Sequence, residues 1–407
     1  MASNLKNEHI VCVALPSWEG DYMKSTVHLM TRLADTNRVL YVDYPRTILD
    51  VFRSFVGRAR VPVGRMLRPS QRVMRPEGHE GRDLHVLTLP PVLPINALPH
   101  GRLYSALRRI NGWIASRAIR KAMKRLDMTN PVVVNAFMPG MGLELAGRLG
   151  EKSTIYYCYD EISEAQWVGR HGALEEASYL EVADTVITTS DALWEAKERR
   201  ANQCYVVKNG VDFPLFQHIG SLRAERLQHQ RSRIPRIGFV GSIDSRVDAD
   251  LVAAVAVMRP DWTFEFVGPI MDQAVGARLS ALRNVTLSGP AQPADLPERM
   301  VSFDAGIIPF RHNGFTKFIY PIKVNEYLAA GLPVVMTDFA RIDELRGAVS
   351  VADDAPGFVD ALEKALAKDN DQARKTRVSF AALNSWGVRT AQFSRIVAQE
   401  METRRAA

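Results

Sequence analysis

The stretch FTKFIYPIKVNEYLAAGLPVVMTD (315–338) places a lysine, Lys323, and a glutamate, Glu326, three residues apart at the entry to an apolar helix pattern. That pattern ends at Gly331, and a strand-like PVVMT follows. An ammonium can neutralise a diphosphate, and a carboxylate can accept hydrogen bonds from a ribose diol, as acidic residues do in dinucleotide sites. The same pair also suits a purely structural role, with Glu326 favoured in a first helical turn and Lys323 solvated.

A second candidate is GFVGSIDSRVD (238–248). A strand ends in a glycine turn at Gly241 and a helix follows, capped by Asp244 or Asp248. Exposed N–H groups and positive potential at a helix start suit phosphate, and Arg246 adds a forked donor at the same place. Neither a G-x-G-x-x-G nor a Walker pattern is present. The DAD at 248–250 has the letters of a metal-binding Asp-x-Asp but falls in a first turn, where acids are favoured without any ligand, so no metal site is expected. Cys12, Cys158 and Cys204 lie far apart in apolar runs without C-x-x-C spacing and read as small buried hydrophobes.

The elements that must position these residues are short β-branched runs. They are IVCVAL (10–15), RVLYVDY (38–44), LHVLTLP (84–90), VVVNAF (132–137), STIYYCYD (153–160), DTVITTS (184–190) and CYVVKNG (204–210), with helical segments such as STVHLMTRLADT and LEEASYLEVA between them. After a polar break, QHIGSLRAERLQHQRSRIPR (217–236), read as an interdomain connection, the pattern restarts. RIGFVGS (236–242), WTFEFVGP (262–269), VTLSGP (285–290), AGIIPF (305–310) and PVVMTD (333–338) follow. Continuous apolar strands alternating with helices predict parallel sheets covered on both faces. The expected fold is α/β, with two tandem Rossmann-like doubly wound domains at 1–216 and 234–380. A final helix, 381–407, packs back on the first. Ligands in such sheets bind beyond the carboxyl ends of the strands, here along an expected interdomain cleft.

At 407 residues the chain is long enough for two cores, and 46% hydrophobic with 24% charged residues excludes wholesale disorder. No stretch approaches the roughly 18 apolar residues of a membrane span, and the N-terminal apolar run is too short for a secretory signal, so a cytoplasmic location is expected. The net charge of +7 is concentrated. Residues 45–82 hold nine arginines, and 101–126 hold eight Lys/Arg and no acid. In the latter, Leu103, Leu107, Ile110, Ile114, Ile119, Met123 and Leu126 predict a basic amphipathic helix suited to an anionic membrane surface, the inner face of the cell membrane. A core helix with a solvated basic face is the alternative. Nucleic acid is not expected, because no stacking platform or recognition motif accompanies the charge.

GSIDSRVD, WTFEFVGP, AGIIPF and especially YPIKVNEYLAAGLPVVMTD resemble the C-terminal half of GT-B glycosyltransferases of bacterial polysaccharide assembly, including the teichuronic-acid transferases and the xanthan glucuronosyltransferase. Softer agreement lies at WEGDY (18–22), YVDYP (41–45), YYCYDEIS (156–163) and KNGVD (208–212). The resemblance implies a C-terminal domain that binds a nucleotide-diphosphate sugar and an N-terminal domain that binds the acceptor. It further implies that Gly241, Arg246 and Lys323 serve the phosphates and Glu326 the ribose. Many retaining members carry two glutamates eight residues apart in this motif, whereas position 318, eight before Glu326, is phenylalanine. That departure points to inversion, which needs a base for the acceptor hydroxyl. Asp160, at the end of an N-domain strand, is the candidate, with Glu161 and Glu164 adjacent; the structural alternative is a helix-capping Asp160.

The resulting expectation is a peripheral-membrane hexosyltransferase. It moves a sugar from a nucleotide diphosphate to a lipid-linked or polysaccharide acceptor, with no obligatory cofactor. A nucleotide-sugar epimerase on the same fold, or a non-catalytic membrane-bound scaffold, are the alternatives.

Overall fold

The computed structural model describes residues 4–19, 24–58, 61–164, 170–229, 234–292 and 294–406. The chain forms two compact units, one of Met1–Lys208 with Thr390–Ala407 and one of Asn209–Arg389.

The first unit is built on β1 (His9–Ala14), β2 (Arg38–Val42), β3 (Val73–Met74), β4 (Leu84–Leu87), β5 (Val132–Ala136), β6 (Ser153–Cys158), β7 (Thr185–Thr188) and β8 (Cys204–Val206). They form one sheet in the order β3-β4-β2-β1-β5-β6-β7-β8. All described neighbours run parallel except β3, which is antiparallel to β4. Alternate residues explain the unbroken apolar runs: Ile10, Cys12 and Ala14 of β1 join one core cluster and Val11 and Val13 the other, so both faces are covered. The final helix, Trp386–Ala406, buries Phe393, Val397 and Met401 in the first of these clusters.

The second unit contains β9 (Arg236–Val240), β10 (Thr263–Val267), β11 (Val285–Leu287), β12 (Ala305–Ile308), β13 (Val334–Met336) and β14 (Ser350–Val351). These form an all-parallel sheet in the order β11-β10-β9-β12-β13-β14. The chain winds outward from β9 to β11, then returns to β12 on the other side, so the strand order reverses between β9 and β12. The α/β reading with two doubly wound units is therefore observed.

Two local expectations are corrected. Residues 217–236, read as a connection, are mostly helix Phe213–His229 within the second unit. Its polarity is misleading because Arg223 is wholly buried: its guanidinium donates to the carbonyls of Phe303 (3.0 Å), Asp304 (2.8 Å) and Gly331 (3.2 Å) and pairs with Asp369 (2.8 Å). In Arg102–Arg125, core contacts run through Tyr104, Asn111, Ala115, Ile119, Ala122 and Met123, while Leu103 and Ile110 are exposed. The five-residue step from Ile114 to Ile119 turns the apolar stripe by roughly 140°, so no single face results. Of WEGDY, residues 20–22 lie outside the described residues, as does position 60 among the nine arginines.

Removing a buried guanidinium that satisfies three carbonyls strands those acceptors. Arg223→Leu should lower the unfolding free energy of the second unit by about 3 kcal/mol or more, read as an earlier transition in urea while the transition of the first unit stays in place.

Candidate functional site

Helix Ile322–Ala329 follows β12 and a short 3₁₀ turn at Thr316–Phe318. It is pinned by Tyr327. The β9–β12 register stops at Gly238↔Gly306, and the Tyr327 hydroxyl accepts the amide of Val240 at 2.8 Å. The Tyr327 ring lies where a side chain on Gly306 would otherwise stand, since a Cβ there would come within 2.6 Å of it. Val324, Tyr327 and Leu328 are buried in the core, while Lys323 and Glu326 are half-buried. The helix closes on Gly331 at φ +71°, with Leu332 N–H donating to Tyr327 O and Gly331 N–H to Leu328 O.

Lys323 lies across the end of β9. A Cβ at Gly241, whose φ is +137°, would meet Lys323 Cε at 2.3 Å, so glycine is needed both for the backbone and for the lysine's path. The ammonium stands 5.5 Å from the ring centroids of both Phe239 and Phe310. Among the described residues, neither the Lys323 ammonium nor the Glu326 carboxylate has a hydrogen bond or ion pair. Burial, helped by the nearby Arg246 charge, pushes Lys323 down to about 8, against the pull of Glu326 and Asp244. Burial pushes Glu326 upward against the favourable charge of Lys323. Arg246 completes the group: its guanidinium is 5.3 Å from the Phe310 centroid and grips Asp244 through Nε (2.9 Å) and Nη2 (2.6 Å). Thus Gly241, Arg246, Lys323 and Glu326 lie together at the switch point of one sheet.

Of the two expected caps for the helix after the Gly241 turn, Asp248 is the one observed, so the helix starts eight residues beyond Gly241. The helix is Ala249–Met258, and Asp248 caps it by accepting the amides of Asp250 and Leu251. That terminus already holds a carboxylate. Asp250 pairs with Arg278 (3.1 Å) and Arg311 (3.5 Å).

In the first unit Asp160 lies two residues beyond β6 and is half-buried. Its neighbour Glu161 is consumed structurally. The Lys197 ammonium pairs with Glu161 (2.8 Å) and Glu176 (2.7 Å), and Ser163 donates to Glu161 through N–H and Oγ. Burial raises Glu161, but Lys197 and Ser163 outweigh it and hold the carboxyl below its usual range. Glu164 is exposed.

A cavity of about 150 Å³ sits beyond the carboxyl ends of β1, β2 and β5, walled by Tyr44, Thr47, Leu93, Phe137 and Met138 among others. Phe137 takes φ +64°, an uncommon conformation for an aromatic residue, directly after β5. The polar wall is one network: Tyr104 donates to Glu175 (2.5 Å), and Arg108 donates to Glu144 (3.0 Å) and Glu175 (3.2 Å). These residues were not identified from sequence. Arg108 was counted in a basic surface, and the available signal was Glu144 in the apolar MGLEL and the adjacent Glu175 and Glu176 in GALEEA.

Residues 234–368 match the family described as Glycosyl transferases group 1. The chain is 30% identical over 224 residues to TuaH of Bacillus subtilis (strain 168), which bears the name of a teichuronic acid biosynthesis glycosyltransferase. That match takes in 52% of this chain and 56%, about half, of the relative's length. Among solved structures, HepE of Anabaena in complex with UDP superposes with TM-score 0.65 at 14% identity, over 96% of this chain and all of that one (100%). A UDP-forming α,α-trehalose-phosphate synthase of Burkholderia vietnamiensis gives TM-score 0.68 at 13% identity, over 99% of this chain and 100% of that one. Residues 234–368 thus resemble a group 1 glycosyltransferase domain, in a chain that has the GT-B fold of these solved structures.

Proposed function

We propose that the chain transfers a sugar from a nucleotide-diphosphate donor to a lipid-linked or polysaccharide acceptor in cell-surface glycan assembly, with inversion and without an obligatory metal. The observation that carries this is an ammonium and a carboxylate, both without partners among the described residues, set with a guanidinium at the switch point of a group 1 domain. Lys323 and Arg246 meet the diphosphate and stabilise the charge that develops as it leaves, while Glu326 accepts from the ribose hydroxyls. The UDP bound in the HepE structure and the surface-glycan name of TuaH support the donor and acceptor classes.

The first unit receives the acceptor, for which the cavity around Tyr104 and Arg108 is the candidate. Asp160 removes the proton from its attacking hydroxyl as the donor phosphate departs from the opposite face. Phe318, standing where a second glutamate would serve retention, supports inversion. The exposed basic face of Arg102–Arg125 holds the protein peripherally on an anionic inner membrane surface; among the described residues no helix is long and apolar enough to cross a membrane.

Titration of UDP and GDP tests the donor site. Lys323→Ala should weaken binding roughly tenfold to a hundredfold, the worth of a charge-assisted hydrogen bond; negligible binding by both proteins would leave only a scaffold role. Asp160→Asn should lose transfer by two to four orders of magnitude, roughly the share of general-base catalysis, with nucleotide affinity nearly unchanged. Full activity in that variant discards the base assignment. Activity that survives EDTA supports metal independence, and interconversion of donor sugars without any acceptor would identify an epimerase instead.

The depressed Lys323 gives a pH test. The phosphate needs the ammonium, which the free protein loses as pH rises through about 8. Nucleotide affinity should therefore be highest below pH 8 and fall above it, and Lys323→Arg should flatten the profile. A wild-type profile that is flat through this range overturns the contact.

A further inference from the structure

A short helix in the first unit carries large apolar side chains into solvent. In Ile48–Phe55 only Val51 is buried, whereas Phe52 is 67% exposed, Phe55 is 73% exposed and the C-cap Val56 is 67% exposed. Ile48 and Leu49 are exposed as well. The helix is firmly started, with Thr47 and Asp50 forming a reciprocal capping box. Arg102–Arg125 presents a second patch, Leu103, Ile110 and Trp113, with the Arg117 guanidinium 5.8 Å from the Trp113 centroid. The two helices are tied to one connecting segment. Ile48 N–H donates to Val92 O, and both backbone groups of Leu93 bond to the side chain of Asn111, which lies between Ile110 and Trp113 in the chain. Apolar exposure of this extent marks an interaction surface.

We propose that these two helices insert into an anionic lipid bilayer, with Phe52, Phe55 and Trp113 reaching below the headgroups. The inference rests on the membrane-surface reading above and adds hydrophobic insertion to charge attraction. Charge selects the occupant. Arg53, Arg58, Arg102, Arg109 and Lys121 are exposed on the same two segments, while Asp50 is the one acid in 45–68 and 101–126 contain none. A second copy docked on the same face would set like charges against each other. Nucleic acid would match the charge and leave the phenylalanines without use. An anionic bilayer satisfies both, with arginines at the headgroups and aromatic rings at the acyl boundary. Thr47, Val92, Leu93 and Asn111, which tie the two helices together, also wall the cavity.

The test uses the full chain with vesicles of phosphatidylcholine alone or mixed with phosphatidylglycerol, by cosedimentation and by tryptophan quenching with brominated lipid. Wild type should bind the anionic vesicles and be quenched, and Trp113→Phe should remove most of the quenching. Phe52→Ser/Phe55→Ser, at exposed positions, should weaken vesicle binding by at least roughly tenfold while UDP or GDP affinity in solution stays unchanged. Vesicle binding equal to wild type in the double variant, without Trp113-dependent quenching, overturns insertion and leaves charge attraction standing. Absence of any vesicle binding removes the membrane reading too. A wild-type dimer that the double variant dissociates assigns the face to a second copy and overturns the proposal.

Discussion

The hydrogen bond from the Val240 amide to the Tyr327 hydroxyl holds the candidate site of the second unit together. Strands β9 and β12 part after the Gly238–Gly306 pair, and a buried amide left open there would be costly. Tyr327 fills the gap with its ring against Gly306 and satisfies the amide with its hydroxyl. Because Tyr327 is fixed, the turn before it is fixed, and Lys323 must lie over Gly241. Two glycines are therefore part of the same device: one admits the tyrosine ring and the other admits the lysine stem. The ammonium then lies near the Phe239 and Phe310 rings, and burial, helped by the Arg246 charge, makes its proton less firmly held than on a solvated lysine.

The first unit shows the opposite use of charge. Lys197 is buried between Glu161 and Glu176, and Tyr156 donates to Glu176 at 2.7 Å, so those charges are spent on one another. The lysine ammonium is held above its ordinary range by the two carboxylates despite its burial. This network fixes the chain immediately after Asp160, because Glu161 is one of its corners. A carboxylate adjacent in sequence is thus removed from consideration as a base by its pairing, a distinction that residue type alone does not contain.

Much of the fold was legible because burial on both faces demands unbroken β-branched runs, and those runs are visible without any partner information. The β3 and β14 strands have two residues each, too few for a period to register. Helix Phe213–His229 was hidden by its arginines, whose role depends on carbonyls far along the chain at Phe303, Asp304 and Gly331. Lys323 and Glu326 could be singled out because charge at that point interrupts an apolar helix. The cavity network of Tyr104, Arg108, Glu144 and Glu175 could not, since it draws on three helices whose meeting no local pattern encodes.

Two helix starts of the second unit, at Ala249 and Ile322, differ in how their positive potential is met. At Ala249 the first-turn amides are already taken by Asp248, so the dipole there faces a carboxylate of the chain's own. At Ile322 the cap is Pro321, with no side-chain hydrogen bond to the first turn, and Lys323 stands on that turn. Arg246 is engaged by Asp244, whose carboxyl is pushed up by burial yet held below its usual range by that guanidinium. Counted by formal charge, Arg246 and Asp244 cancel, and so do Lys323 and Glu326. The group is close to neutral overall while its cationic members are not equally available, and in the proposed function the strongest pull on a diphosphate comes from an ammonium and a helix start without a side-chain cap acting at one point. In the proposed function, a neutral site of this kind binds a nucleotide through placement of its dipoles and an ammonium that has no hydrogen bond or ion pair among the described residues, and it avoids holding a product diphosphate as tightly as a cluster of unopposed cations would.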